Sequence, residues 1–236
     1  MPEKILEKES QIAEVPGRVL EIAGIPTAVT EDHSQVFYFW QSSGLKGADL
    51  FHIDAHADMN SGVDVMLEDL DNINFICTAV HFGIVSGVYW LNPHSEKRKL
   101  QDLGSRLGGQ RRKLAPHVVG ERIWWEEEKC EISGGCGRVI MPWEIIISGN
   151  LILDIDLDAF CCPNPDNAVR SQYNTRNWRQ KIAETAGLLS GLKKPSIITI
   201  TRSQGLEGDI MDSYVPAGLV DYVEEETLKR LRAVYS

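Results

Sequence analysis

The sequence predicts an α/β fold with a central, mainly parallel sheet covered by helices. Three observations carry this: strand-like and helical stretches alternate along most of the chain, several strand-like stretches are apolar enough for burial, and 236 residues with 43% hydrophobic content can supply a sizeable core. A single domain spanning residues 1–236 is expected.

Residues 49–53 (DLFHI) read as a buried strand that runs into an acidic cluster. Residues 74–84 have the apolar spacing of a packed helix, and residues 87–91 (GVYWL) form another strand. The clearest central strand is 150–157 (NLILDIDL), which leads into a second acidic cluster. Residues 173–192 read as a helix, with Trp178, Ile182, Ala186 and Leu189 at intervals of three or four. Residues 195–201 (PSIITIT) are rich in β-branched side chains and read as a strand, and 223–231 as the closing helix. Between residues 96 and 137, basic residues, glycines and the Trp124/Trp125 pair resolve into no single period.

Composition narrows the function. A net charge of −10 argues against general nucleic-acid binding and favours the approach of a cationic substrate. Five cysteines, at 77, 130, 136, 161 and 162, make no disulfide framework, so a reducing cytoplasm is the expected location. The opening MPEKILEKES lacks the apolar stretch of a secretory signal, and no apolar run approaches the roughly 20 residues of a membrane helix. A soluble protein without membrane or nucleic-acid partners is expected; its oligomeric state is left open.

The chemistry lies in the two acidic clusters. HIDAHADM at residues 52–59 sets Asp54, His56 and Asp58 at alternate positions, which share one face on extended backbone. LDIDLDAF repeats the pattern with Asp154, Asp156 and Asp158. So many carboxylates at the ends of apolar strands raise one another's pKa, and bound cations are the natural compensation. A set of four carboxylates, two or three imidazoles and no thiolate in either motif suits Mn²⁺ better than structural zinc, with Zn²⁺ or Fe²⁺ as lesser choices. Both clusters are placed at the carboxyl ends of their strands, where open parallel sheets bind ligands. Either cluster alone also fits turn-forming or solvated surface groups; the two together are far more specific.

DAHAD at 54–58 matches the DAHxD signature of arginases and agmatinases, and Asp154-Ile155-Asp156 resembles their later DxD metal motif. Asp32-His33-Ser34 resembles their upstream GGDHS motif, and all three occur in the family's order. The wider pattern, from EDHSQVFYFW through NFICTAVHFGI and YWLNP to ITITRSQ, resembles a shorter arginase-like branch that includes peptide arginases of bacterial ribosomal-peptide pathways. This resemblance implies a three-layer arginase-like fold holding two Mn²⁺. Asp54 and Asp154 would bridge the ions, His33 and Asp58 would complete one site, and His56 and Asp156 the other. An activated water would attack the guanidinium carbon of an arginine in a precursor peptide, Asp58 would help pass a proton to the departing nitrogen, and ornithine and urea would result. His81 would be the proton shuttle, or else a core histidine. Hydrolysis of free arginine or agmatine, or metal binding without catalysis, are the alternatives.

The sequence departs from larger arginases in three respects. Its third acid, Asp158, comes one position early and lacks the adjoining proline; the chain is shorter; and no EVNP segment is present. In place of that segment stand Thr201-Arg202-Ser203, then Glu207 and Asp209, the candidate guanidinium-binding acids. His52 reads as either a residue orienting a metal ligand or a packed histidine, and Asp158 as a ligand contact or a turn cap. Cys161 and Cys162 read as small packing residues, and Cys130 and Cys136 lack a zinc-site pairing. The basic run at 97–113 reads as a solvated face, or as a dock for an acidic peptide segment.

Overall fold

The computed structural model describes residues 16–60, 65, 67–94, 110–119, 122–127, 147, 149–164, 175–205 and 214–236. Eight strands form one sheet: β1 (Arg18–Ile22), β2 (Ile25–Thr30), β3 (Ala48–Ile53), β4 (Val85–Asn92), β5 (Gln110–Val119), β6 (Arg122–Glu127), β7 (Leu151–Asp156) and β8 (Ile197–Thr201). Their spatial order is β1-β2-β8-β7-β3-β4-β5-β6. The five central strands, β2 to β4, are mutually parallel, while β1 and the β5/β6 hairpin add antiparallel margins. The expected α/β architecture with a mainly parallel centre is therefore present.

Strand periodicity divides the core into two layers. On β7, Leu151, Leu153 and Ile155 join one apolar cluster while Ile152 joins the other. The first cluster packs beneath α3 (Trp178–Leu189) and α4 (Val220–Tyr235), through Trp178, Ile182, Val223 and Leu228. The second packs beneath α1 (Val36–Ser42) and α2 (Phe75–His81), through Phe37, Trp40, Phe75 and Ile76. The result is three layers, helices on sheet on helices. No helix among the described residues is long and apolar enough to cross a membrane.

Local chemistry sets the element ends. Ala23 and Gly24 both have positive φ (52° and 81°), the pairing a tight two-residue hairpin needs between β1 and β2. The expected helix at 74–84 is shorter because Phe82 caps α2 and Gly83, at φ 68°, turns the chain into β4. The expected helix at 173–192 begins only at Trp178, since Asn177 sits in the left-handed region; residues 173 and 174 lie outside the described set. The closing helix is longer than expected at both ends. The stretch 96–137, which resolves into no single period in the sequence, contains β5 and β6; of its basic run, only the part from Gln110 onward is described.

Candidate metal centre

The sheet register builds the base of the site. His52 on β3 lies opposite Asp154 on β7, and Asp154 lies opposite Thr199 on β8. All three point to the layer that holds α1 and α2, so they form a polar row inside an otherwise apolar face. The His52 ring reaches Asp154 Oδ2 through Nδ1 at 2.9 Å, Thr199 donates to Asp154 Oδ1 at 2.6 Å, and Trp40 Nε1 donates to Thr199 at 3.1 Å. Asp154 is thus buried and braced from the strands on either side of it, and through Thr199 from α1.

The remaining groups arrive from the carboxyl ends of the strands, as expected. His33 opens a 3-10 turn just beyond β2. Its Nε2 is 3.0 Å from Asp154 Oδ2, and its Nδ1 lies 3.2, 2.9 and 3.1 Å from oxygens of Asp54, Asp58 and Asp156. Asp54 Oδ2 also faces His52 Nε2 at 3.3 Å. Asp58 is held at φ 50°, a left-handed conformation that a non-glycine residue adopts at a cost. Ser203, beyond β8, is held likewise at φ 40° and donates to Asp156 Oδ2 at 2.5 Å. The cluster floors a cavity of about 310 Å³ reached by His33, His56, Asp58, Asp156, Asp158 and Ser203.

Two sequence expectations meet a different geometry. The His56 ring pairs with Asp158 Oδ2 at 2.9 Å and stands 3.7 Å from Asp54 Oδ1, so its first partner is Asp158 and not Asp156. Asp158 also accepts from the Ala55 amide at 3.2 Å, which ties the β3 loop to the β7 loop. His81 requires a correction. It ends α2 on the exposed surface, and α2 runs back toward the start of β4, the edge of the sheet opposite the carboxylates. From there it serves neither as proton shuttle at this site nor as core histidine. Glu207 and Asp209 lie outside the described residues, as do Cys130 and Cys136.

In the Thr201-Arg202-Ser203 segment, Ser203 bonds the cluster, while Thr201, opposite Asp156 in the register, pairs its hydroxyl with Thr30 at 3.1 Å. Arg202 turns away to Asp221 on α4, at 2.6 Å. The sequence reading passed over Thr199 and the pair formed by buried His94 and half-buried Lys181. Lys181 Nζ lies 2.9 Å from His94 Nδ1, and His94 Nε2 lies 3.1 Å from the Asp158 carbonyl. Thr199 was discoverable from strand alternation once β7 and β8 are paired. His94 and Lys181 carry no motif and meet only through the fold.

The electrostatics suit bound cations. Burial, then the charges of Asp158 and Asp58, push Asp54 well above the usual carboxylate range, and burial with Asp158 pushes Asp156 up to about 6. Burial works to lower His33, but the Asp154 and Asp156 charges outweigh it and hold it well above the usual imidazole value. For His56 burial again acts downward, and Asp158 drives it strongly upward. Three buried polar atoms, His33 Nδ1, His52 Nε2 and Asp54 Oδ2, have no hydrogen-bond partner although they face one another across the cluster. Such orphaned atoms are costly unless something else satisfies them. Overlapping triads of His33, His52, Asp54, Asp58, Asp154 and Asp156 bring their donor atoms close enough to share a metal ion, and an oxygen-rich set of this kind suits a hard divalent cation.

These shifts have one sign for metal binding. The raised His33, His56, Asp54 and Asp156 all favour bound protons, which a cation must displace, so affinity for Mn²⁺ rises with pH. Each proton released adds about tenfold in affinity per pH unit only while its group is protonated, so Asp156 contributes below about pH 6 and the more strongly raised His33 and His56 above it. Calorimetric titration in buffers of different ionisation enthalpy counts those protons directly; a pH-independent affinity would contradict the electrostatic picture. Ser203→Ala, which removes the hydroxyl donor to Asp156, is expected to weaken Mn²⁺ binding by about tenfold or more. Metal titration of the variant checks this, with Ser203→Thr as the conservative comparison.

Among solved structures, the chain is similar to a hypothetical agmatinase from Burkholderia thailandensis, with 12% identity, a TM-score of 0.45 and coverage of 89% of this chain and 58% of that one. It is also similar to proclavaminate amidino hydrolase from Streptomyces clavuligerus, with 10% identity, a TM-score of 0.46 and coverage of 89% and 65%. Formimidoylglutamase from Bacillus subtilis subsp. subtilis str. 168 shows 12% identity, a TM-score of 0.43 and coverage of 89% and 59%. The chain spans less than two thirds of the length of each of these proteins. No family model matches the chain, and no curated protein does.

Proposed function

We propose that this chain is a metal-dependent hydrolase of guanidino groups, of the arginase-like class, acting on arginine within a peptide to give ornithine and urea. The observation that carries this reading is the convergence of His33, Asp54, Asp58, Asp154 and Asp156 around orphaned polar atoms at the floor of an open cavity. These five residues would hold two Mn²⁺, with His56 in reach of Asp54. When bound, the ions supply the positive charge that brings water to reactivity near neutral pH and balances charge at the tetrahedral stage.

The protein groups have separate tasks in this reading. Asp54 and Asp154 are fully buried and act as fixed charge, while Asp58, with 13% of its side chain exposed, faces the cavity. Asp58 is therefore the carboxylate placed to take a proton from the attacking water and pass it to the departing nitrogen. Asp156 and Asp158 line the same cavity and attract a planar cation. Ile73 and Tyr214, which line it too, are 46% and 45% exposed and offer apolar surface to the chain that carries the guanidinium.

The test is mass spectrometry of arginine-containing peptides after incubation with the protein and Mn²⁺. Hydrolysis by this route removes CN₂H₂, a loss of about 42 Da per converted arginine, and releases one urea. Several unrelated peptides left unchanged, with both metal ions bound and no urea from free arginine or agmatine, would overturn the proposal.

A further inference from the structure

We propose that His56, Asp158 and Cys162 form a further cation site, selective for a thiophilic divalent ion such as Zn²⁺, that draws His56 away from the carboxylate cluster. One donor atom from each residue lies within 4.8 Å of the others. The His56 ring already faces the other two: it pairs with Asp158 at 2.9 Å and lies within 4.8 Å of the Cys162 sulfur, and Asp54 stands 3.7 Å away. The Asn164 carbonyl, 3.2 Å from His56 Nε2, adds a backbone oxygen beside the ring. All three side chains are wholly or largely buried, yet His56 keeps 21% of its side chain exposed and, with Asp158, lines the cavity, so an ion has a route in.

The donor sets of the two centres differ in kind. Nitrogen and carboxylate oxygens alone make up the cluster around His33, and this suits harder ions. Sulfur, nitrogen and oxygen from three side chains match what Zn²⁺ takes in an open tetrahedral site, with water as the fourth ligand. Binding would displace the thiol proton to solvent. Because His56 also stands within reach of Asp54, at 3.7 Å, occupation of the sulfur-containing site competes with a metal pair that uses His56. The site depends only on these three side chains and stands or falls independently of the guanidino-hydrolase reading.

Cadmium serves as the probe, since a cadmium–thiolate bond has its own ultraviolet charge-transfer band. One equivalent of Cd²⁺ added to the full chain should produce that band, unchanged in Cys161→Ser and lost in Cys162→Ser. Asp158→Asn should weaken Cd²⁺ binding by about tenfold, and added Mn²⁺ should raise the apparent Kd for Cd²⁺ through competition for His56. A band of full strength in Cys162→Ser would overturn the site. Should that variant fail to fold, the wild-type chain decides with Co²⁺: sulfur-to-cobalt charge transfer on a tetrahedral spectrum supports the site, and a six-coordinate spectrum without it refutes it.

Discussion

Asp154→Ala is expected to release both metal ions and to lower turnover by at least about three orders of magnitude, equivalent to about 4 kcal/mol at the transition state. The reason is the number of groups that depend on this one carboxylate. It accepts from Thr199 and pairs with both His33 and His52. Burial alone would raise its pKa, but His33 and then His52 hold it charged well below the usual carboxylate range. Its removal leaves two imidazoles turned toward an empty volume, and any cations would repel one another with less shared negative charge between them. Elemental analysis of the purified variant checks the metal loss, and two ions at full occupancy would refute the bridging role. Thr199→Val separates charge from bracing, since it keeps the carboxylate and removes one hydrogen bond.

Peptide arginine should surpass free arginine in kcat/KM by at least about a hundredfold, or roughly 2.7 kcal/mol. An internal arginine carries neither α-carboxylate nor α-amino charge, so its affinity must come from contacts beyond the reacting group. In the proposed reading those contacts would begin at the exposed faces of Ile73 and Tyr214, which line the cavity. Binding energy from such remote contacts orients the reacting group, so a truncated substrate loses turnover as well as affinity. Steady-state kinetics on a panel of peptides, free arginine and agmatine makes the comparison. Equal or faster turnover of a free guanidino compound would discard the peptide assignment and leave the metal centre standing.

Much of the site could be read from sequence because strand alternation and metal-ligand chemistry both act over a few residues. Asp54 and Asp58, like Asp154 and Asp156, are separated by short intervals on or just beyond strands, so pattern alone groups them. The burial of residues 151–156 likewise follows from their composition. Illegible features are those decided by contacts between distant segments. Apolar spacing made His81 a helix residue but could not say which end of α2 meets the carboxylates. The choice of Asp158 as partner for His56 depends on how the β3 and β7 loops meet, and that of Lys181 for His94 on how α3 seats itself. The hairpin of β5 and β6 stayed hidden because QRRKLAPHVV is charged at one end and interrupted by Pro116, so neither period emerges.

The order of the strands sets a timetable for synthesis. β2 and β3, which deliver His33 and Asp54, leave the ribosome early yet are not neighbours; β8 and β7, made more than a hundred residues later, lie between them. Until residues 197–201 emerge, the strand that pairs with both β2 and β7 is missing, and the sheet cannot hold His33 against Asp154. Contacts so far apart in sequence close slowly. Metal capture would then report that the last central strand has slotted into place, and a nascent chain stopped short of it would hold its acidic segments without the partner that completes them.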